Sequence, residues 1–322
     1  MQQQLASDGG AGSLVGRDLI SSADLKRAEY ERVFSTAAAL KSEFRETRRH
    51  AAQPLAGRNV ALIFEKQSLR TRVTFEAGLN QLGGHALHLG EGIGFGVRES
   101  VSDIAHNLDR WIDGIVIRTF DHSVVTELAV EAGIPVFNAL TDDEHPFQAL
   151  ADLLAMREHF GSLEGRVLTF VGDGNNVYHS LALAGATLGM EVRLAHPAGF
   201  GPQAEIVARA ERLAASSGGK IVIGRDPREI VPGSDALYAD VWVSMGQEDQ
   251  SHARFAAFAG YCVDDALLEL AGSDAVAMHC LPAHRGQEIT ADVLDGDRSL
   301  ALEQAENRLH VQKAFLVESI GR

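Results

Sequence analysis

The segment FEKQSLRTRVTFE, Phe64 to Glu76, holds the most informative chemistry in the sequence. An apolar run ends at Phe64, and Ser68 reads as the N-cap of a following helix. The unbonded N–H groups of a first helical turn already form an anion site. Ser68, Arg70, Thr71 and Arg72 add hydroxyls and two guanidinium forks, with Leu69 between them, and arginine suits bidentate contact with phosphate oxygens. Read without a ligand, this is a solvated, charged first turn closed by a serine cap. Positive charge at a helix N-terminus opposes the dipole, however, so two arginines there call for an anionic partner.

Other polar groups fall at the ends of apolar runs, where an open parallel sheet has its ligand crevice. Arg118 ends GIVIR, Asn138 ends PVFN, and HPFQALAD supplies His145 and Gln148, three residues apart and so on one helical face. Taken singly, Arg118 reads as a salt-bridge partner and His145 as a helix-start hydrogen bonder; their succession raises them together. Further on, RVLTFVGDGNNVYHSL is a strand, a glycine turn and a helix. It has Gly172 and Gly174 but valine at position 177, which is only part of a dinucleotide fingerprint.

DVWVSMG reads as a strand opening on Asp240, with Ser244, Met245 and Gly246 in the loop beyond. Asp240 is either a strand-edge charge or an acid facing an ammonium group, and Met245 reads as core packing on spacing alone. MHCLP puts Cys280 after another apolar run. A covalent thioester enzyme with His279 or His284 as base is one reading, a buried structural thiol another. The spacing of His279, Cys280 and His284 does not fit a structural zinc site, and no metal is expected.

The elements that must position these groups alternate, short apolar runs with amphipathic helical segments, which predicts an α/β fold with mostly parallel sheets. Strands are expected at Asn59–Phe64, His85–Leu89, Gly114–Arg118, Pro135–Asn138, Arg166–Val171, Glu191–Ala195, Ile221–Ile223, Asp240–Val243 and Ala275–His279. Helices are expected at Ser68–Leu82, Val101–Leu108, Val124–Ala132, Pro146–Phe160, Val177–Leu188, Ala204–Ala215 and Ala301–Ile320. The 322 residues suffice for two domains. We expect one over 1–150 and another over 151–304, with a C-terminal helix, 305–322, returning to the first. A net charge of −15 disfavours a partner of nucleic acid or anionic membrane. It still allows a small anionic substrate held by a few arginines. No apolar stretch reaches membrane-spanning length, and the opening MQQQLASDGGAGSLVG lacks the pattern of a secretory signal. Cys262 and Cys280 read as reduced thiols of a cytoplasmic protein.

FEKQSLRTR, the RTF at 118–120, HPFQALAD, FVGDGNNVYHS, DVWVSMG, MHCLPAHRG and ENRLHVQK stand in order from residue 64 to residue 313. By these motifs the chain resembles the aspartate/ornithine carbamoyltransferase family, and in particular its ornithine-using members. The resemblance implies a carbamoyl-phosphate domain followed by an amino-acid domain, homotrimers or multiples of trimers, and no cofactor. The implied reaction is transfer of the carbamoyl group of carbamoyl phosphate to the δ-amino group of L-ornithine, giving L-citrulline and phosphate in arginine metabolism. It further implies that Ser68, Leu69, Arg70, Thr71 and Arg72 hold the phosphate. Arg118 and His145 serve the carbonyl oxygen, and Gln148 the carbamoyl amide. Cys280, Leu281 (through its backbone) and Arg308 complete the carbamoyl neighbourhood, while Asn176, Asp240, Ser244 and Met245 meet ornithine.

Two departures stand out. The motif reads SLRTR where family members commonly have STRTR, and SLRTR also occurs in relatives that carbamoylate acylated ornithine. Relatives usually carry Gln or His two residues before the glycine matching Gly96, and this chain has Gly94. A missing donor there is to be supplied by another group such as His88, or else carbamoyl-phosphate affinity is weakened. Transfer to putrescine or to an acylated ornithine, and a non-catalytic trimeric binding paralogue, are the competing expectations.

Overall fold

β1 (Asn59–Phe64) is the apolar run NVALIF, buried at its four central residues, and β3 (Gly114–Arg118) is buried throughout. Both faces are therefore covered, the mark of central strands in a parallel sheet. β2 (His85–Leu89) is the edge strand that exposes His85 and His88, and β4 (Val136–Leu140) lies on the other side of β3. The order is β2-β1-β3-β4, with every pairing parallel. Connecting helices are α2 (Arg70–Gln81), α3 (Val101–Leu108) and α4 (His122–Glu131), preceded by α1 (Arg27–Thr47). Ile63, Ile115 and Ile117 of the sheet pack with Ile104 and Leu108 of α3 and with Val125 and Leu128 of α4.

The computed structural model describes residues 13–90, 93–95, 98–243, 249 and 251–321. The chain divides into two compact units, one running to Asp142 and resuming at Arg308, the other formed by Asp143–Asn307. The second unit has its own parallel sheet, of order β7-β6-β5-β8-β9. Its strands are β5 (Val167–Val171), β6 (Glu191–Ala195), β7 (Lys220–Gly224), β8 (Ala236–Ala239) and β9 (Val276–His279). Around it lie α5 (Pro146–Phe160), α6 (Asn176–Thr187), α7 (Ala204–Ser217), α8 (Pro227–Ile230), α9 (Ser251–Ala257), α10 (Asp265–Ala271) and α11 (Ala291–Leu294). Val171, Leu237, Ala277, Leu267 and Val293 belong to its core.

Three local expectations change. The strand expected at Asp240–Val243 is Ala236–Ala239, because the run ALYA pairs with β5 and β9 and is buried throughout. Asp240 therefore stands just past a strand end rather than opening a strand. Asn138 lies inside β4, fully buried, and its Nδ2 donates to the Ile20 carbonyl (2.8 Å). The N-cap of α2 is Leu69, not Ser68, and no side chain caps the helix.

α12 (Ala301–Ile320) has the bounds expected for the C-terminal helix, and its residues from Arg308 onward belong to the first unit. Phe315 meets Phe137 edge-on at 5.7 Å between ring centroids, and Glu318 accepts a hydrogen bond from Thr36 of α1 (2.6 Å). Lys313 is wholly buried. Its Nζ reaches His50 Nε2 (2.8 Å) and Gln81 Oε1 (3.0 Å) and lies 4.5 Å from the Phe44 ring centroid. His50 Nδ1 in turn faces Glu43 Oε2 (2.6 Å).

Burial lowers the Lys313 pKa from 10.5 to about 8, against the smaller opposing effect of Glu43. The unfolded chain therefore keeps this proton to higher pH than the folded one, so stability rises with pH between the two values. In denaturant unfolding compared at about pH 7.5 and about pH 9.5, wild type is expected to gain this increment and Lys313→Met to lose it. Equal pH dependence in the two proteins would contradict this account of Lys313.

Candidate active site

In each sheet the strand order reverses direction once, between β1 and β3 in the first unit and between β5 and β8 in the second. Ligand crevices of open parallel sheets form at the carboxyl ends of the strands flanking such a reversal. The residues singled out from the sequence stand largely at these two places.

In the first unit Phe64 pairs in register with Arg118, and the Glu65 N–H donates to the Arg118 carbonyl (2.9 Å). The end of β1 and the end of β3 are thus fixed side by side. A bulge follows: Ile117 pairs with Asn138, but Arg118 pairs with Leu140. Such an extra residue bends a strand and re-aims the side chain beside it. The Arg118 side chain is buried at this strand end.

Beyond β1 the chain passes through Lys66 and Gln67 into the uncapped start of α2. Arg70 is its first helical residue, and no acid stands in its first turn. A cleft of about 480 Å³ is lined by Phe64, Lys66, Gln67, Ser68, Leu69, Arg72 and Gly90. Lys66 is buried; it pairs with Asp142 and lies 4.2 Å from the Phe120 ring centroid. Thr71 and Arg308 are buried together, with Arg308 Nη2 donating to Thr71 Oγ1 (2.6 Å). Ser68, Leu69 and Arg72 line this cleft, Thr71 is bonded to Arg308, Arg118 ends the neighbouring strand, and Arg70 opens a cationic helix start. That start offers N–H groups with no side-chain cap, a setting suited to a small oxyanion. His88 is committed to Glu76 (2.9 Å).

In the second unit the glycine turn after β5 has a structural reason. A Cβ at Gly174 would lie 2.4 Å from the Pro202 backbone nitrogen, so the glycine answers a close approach of the chain rather than a pyrophosphate. Asn175 caps α6: its Oδ1 accepts from Val177 N (3.0 Å) and Tyr178 N (3.2 Å), and its Nδ2 donates to Asp240 Oδ2 (2.7 Å). Asn176, next in the chain, is the first residue of the helix. The other Asp240 oxygen accepts from Val241 N (2.8 Å) and from the Cys280 thiol (3.1 Å).

Burial raises the Cys280 pKa well above 9.0, and the Asp240 charge adds to it. The sulfur is held as a protonated donor, which weighs against the thioester reading, since the thiolate is the nucleophile. His279 does not serve it as base, because its Nδ1 accepts the Leu281 N–H (2.8 Å) and its Nε2 faces Glu288 (3.2 Å).

His145 is the N-cap of α5, and its backbone N–H donates to Ser180 Oγ (2.9 Å), which in turn donates to Glu144 (3.0 Å). Gln148 Nε2 donates to Asp152 Oδ1 (2.7 Å), as does Gln304 Nε2 (2.8 Å), and Tyr238 OH donates to Asp152 Oδ2 (2.9 Å). A fully buried carboxylate with these donors is rigidly placed. Because a carboxylate only accepts, it obliges Gln148 to turn its amide nitrogen inward. On Tyr238, burial raises the pKa well above 10.0, with the Asp152 charge second.

Lys66, Ser180, Asp152 and Tyr238 were not picked out from the sequence. Asp152 had a signal, its i+4 spacing from Gln148 within HPFQALAD, whereas Tyr238 sat unmarked in an apolar run. Ser244, Met245, Gly246 and Gly96 lie outside the described residues. Among the described residues no cluster of His, Cys, Asp or Glu is placed to hold a metal ion, and no helix is long and apolar enough to cross a membrane. Cys262 and Cys280 are both free.

Residues 17–158 match the carbamoyl-P binding domain of the aspartate/ornithine carbamoyltransferases, and residues 164–318 match their Asp/Orn binding domain. The chain belongs to the aspartate/ornithine carbamoyltransferase family. Its similarity is to the ornithine carbamoyltransferases. It is 48% identical to that of Anoxybacillus flavithermus over 305 residues, covering 94% of this chain and 96% of the relative. The enzyme of Acidothermus cellulolyticus is 49% identical over 310 residues, covering 95% and 98%. Among solved structures, ornithine carbamoyltransferase from Pyrococcus furiosus superposes with a TM-score of 0.92 at 42% identity, covering 96% of this chain and 99% of that one.

Proposed function

We propose that this protein transfers the carbamoyl group of carbamoyl phosphate to the δ-amino group of L-ornithine, releasing L-citrulline and phosphate. The observation that carries the donor half is the uncapped, cationic start of α2 at the first sheet's reversal point. The acceptor half rests on Asp240 at the reversal point of the second sheet, bonded to both Asn175 and Cys280. The domain over 1–150 with the C-terminal helix takes the donor, and the domain over 151–304 takes the acceptor.

Ser68, Arg70, Thr71 and Arg72, with the amides of Leu69 and its neighbours, hold the phosphoryl group. Arg118, His145 and Thr71 donate toward the carbonyl oxygen, and Gln148 receives the carbamoyl amide. Cys280, the Leu281 backbone and Arg308 line the carbamoyl group. Asn176, Asp240, Ser244 and Met245 hold ornithine. The cap and carboxylate bonds of Asn175 support Asn176 as the asparagine that meets the substrate.

The acceptor arrives as an ammonium ion of pKa about 10.4, so near neutral pH roughly one molecule in a thousand has a lone pair. Regenerating the free amine costs about 4 kcal/mol, which desolvation or proton transfer to the departing phosphate offsets. The amine then attacks the carbamoyl carbon. Negative charge grows on the carbonyl oxygen and on the bridging oxygen, where fixed donors await it; this is usually the largest catalytic contribution. Holding donor and acceptor together favours ordered binding, carbamoyl phosphate first.

The protein assembles as trimers or multiples of trimers and works in the cytoplasm. The exposed apolar side chains of Leu69, Val73 and Trp111 support a contact between copies, and the free thiols fit a reducing compartment. Incubation with carbamoyl phosphate and, in parallel, ornithine, putrescine, N-acetylornithine and aspartate tests the reaction through phosphate release and ureido product. Product with ornithine alone is expected. Preference for another amine, or no product at all, would overturn the assignment.

A further inference from the structure

Asp152 is wholly buried one helical turn beyond Gln148, on the same face of α5. Its Oδ1 receives Gln148 Nε2 (2.7 Å) and Gln304 Nε2 (2.8 Å), and its Oδ2 receives the Tyr238 hydroxyl (2.9 Å). Two of these donors are oriented independently of it. Gln304 Oε1 accepts the His279 backbone N–H (2.9 Å), which leaves the nitrogen of that amide facing Asp152. The Tyr238 ring is stacked on Phe170, 5.1 Å between centroids and 12° between planes, and both rings are fully buried. Asp152 is therefore an acceptor in a fixed place. The Gln148 amide beside it is itself buried and has one favourable way round, since turning it over would set Oε1 against a carboxylate oxygen. A primary amide is flat, so with Nε2 committed to Asp152 the Gln148 oxygen points to the opposite side.

Resting on the reading of Gln148 as the group that meets the carbamoyl amide, we propose that Asp152 makes this enzyme select a carbamoyl over an acetyl donor. Asp152 turns Gln148 so that Oε1, an acceptor, meets the carbamoyl NH2. Acetyl phosphate has the same length and charge, with a methyl group where carbamoyl phosphate has its nitrogen. A methyl group displaces water from Oε1 and donates nothing in return, so a buried acceptor is left unpaired. Were Gln148 reversed, its NH2 would face the substrate NH2, and the methyl compound would be the better tolerated of the two. Selection thus depends on a carboxylate that never touches the substrate. Asp152 is a positioning residue that acts through Gln148.

Calorimetric titration with phosphonoacetamide and acetonylphosphonate, unreactive copies of the carbamoyl and acetyl donors, measures the selection without turnover. Wild type is expected to bind the amide roughly 10²-fold more tightly than the ketone. Asp152→Ala lets Gln148 turn either way and is expected to lower that ratio at least about tenfold, mainly by weakening the amide. Asp152→Asn keeps an oxygen toward the two glutamines and offers its NH2 to the Tyr238 oxygen, so its ratio should stay within about threefold of wild type. An aspartate that only supports the fold would instead lower the melting temperature of Asp152→Ala, or weaken both ligands alike, with the ratio kept. That result overturns the proposal, as does a wild type that binds the two ligands equally, or an Asp152→Asn ratio as low as that of Asp152→Ala. Should Asp152→Ala fail to fold, Gln148→Leu decides the orientation. Selective loss of the amide then supports Oε1 facing the ligand, and an unchanged or larger ratio overturns it. Citrulline synthesis by wild type is measured alongside. Its failure would strike the carbamoyl-transfer reading, whereas citrulline made by a site that does not discriminate strikes only the role of Asp152.

Discussion

Arg70→Ala is expected to lower kcat/KM for carbamoyl phosphate by roughly 10³-fold, or about 4 kcal/mol of transition-state stabilisation. Arg70 is the first helical residue of α2, in a turn with no acid and no side-chain cap. Its charge therefore opposes the helix dipole, an arrangement that costs up to about 1 kcal/mol when no anion is present. Removing the guanidinium takes away the charge offered to the phosphate, so the substitution should destroy turnover with the fold intact. Loss of activity together with a large loss of stability would be the signature of a structural arginine instead. Steady-state citrulline formation, paired with thermal unfolding with and without inorganic phosphate, separates the two. Wild type should be stabilised by phosphate and the variant much less. Near-normal citrulline synthesis in Arg70→Ala would remove the phosphate role given to this turn.

Asp240→Asn should act on the other substrate. Asp240 is buried, receives Asn175 Nδ2 on one oxygen and Cys280 and Val241 on the other, and stands where β8 ends. Exchanging the carboxylate for an amide keeps the shape but removes the charge that an ammonium ion seeks. It also places an NH2 group against either Asn175 or the thiol, and an ill-matched buried donor carries a penalty of about 1–3 kcal/mol. Ornithine KM is expected to rise and kcat to fall, together lowering kcat/KM for ornithine by roughly 10²-fold or more, with carbamoyl-phosphate affinity little altered. Titration of each substrate at saturating levels of the other measures this. An unaltered ornithine dependence would exclude Asp240 from the acceptor site.

Both regions were legible in the sequence where a local cause dictates the structure. Val101–Leu108 and Pro146–Phe160 emerge with the expected bounds, because the first begins after a serine that caps Asp103 N and the second begins on a proline at N1. Asp240 was placed at the wrong end of a strand because Val241, Trp242 and Val243 are as apolar as ALYA; only pairing with β5 and β9 decides between the two runs. Ser68 has the right chemistry for a cap, but the helix begins one residue later and Leu69 takes the position. The short helices α8 to α11 are four to seven residues long, too brief for periodicity to mark.

The bonds that hold the candidate groups were hardest to read. Tyr238 reaches Asp152 across 86 positions and Arg308 reaches Thr71 across 237, and nothing local in either residue announces the partner. His279 and Leu281 are two apart, yet their bond depends on a positive φ at a leucine, the kind of conformation sequence statistics argue against.

Leu69 remains instructive. Its side chain is 75% exposed and caps nothing, so at the mouth of the cleft it contributes main chain and little else. A change of residue type at this position is then expected to be nearly silent for an anion held by the main chain of this turn, and leucine against threonine there to be a poor label for which amine an enzyme accepts. Acceptor preference should be sorted by what surrounds Asp240. Libraries built to redirect the enzyme toward other amines gain little from varying the first motif and most from varying the residues near that carboxylate.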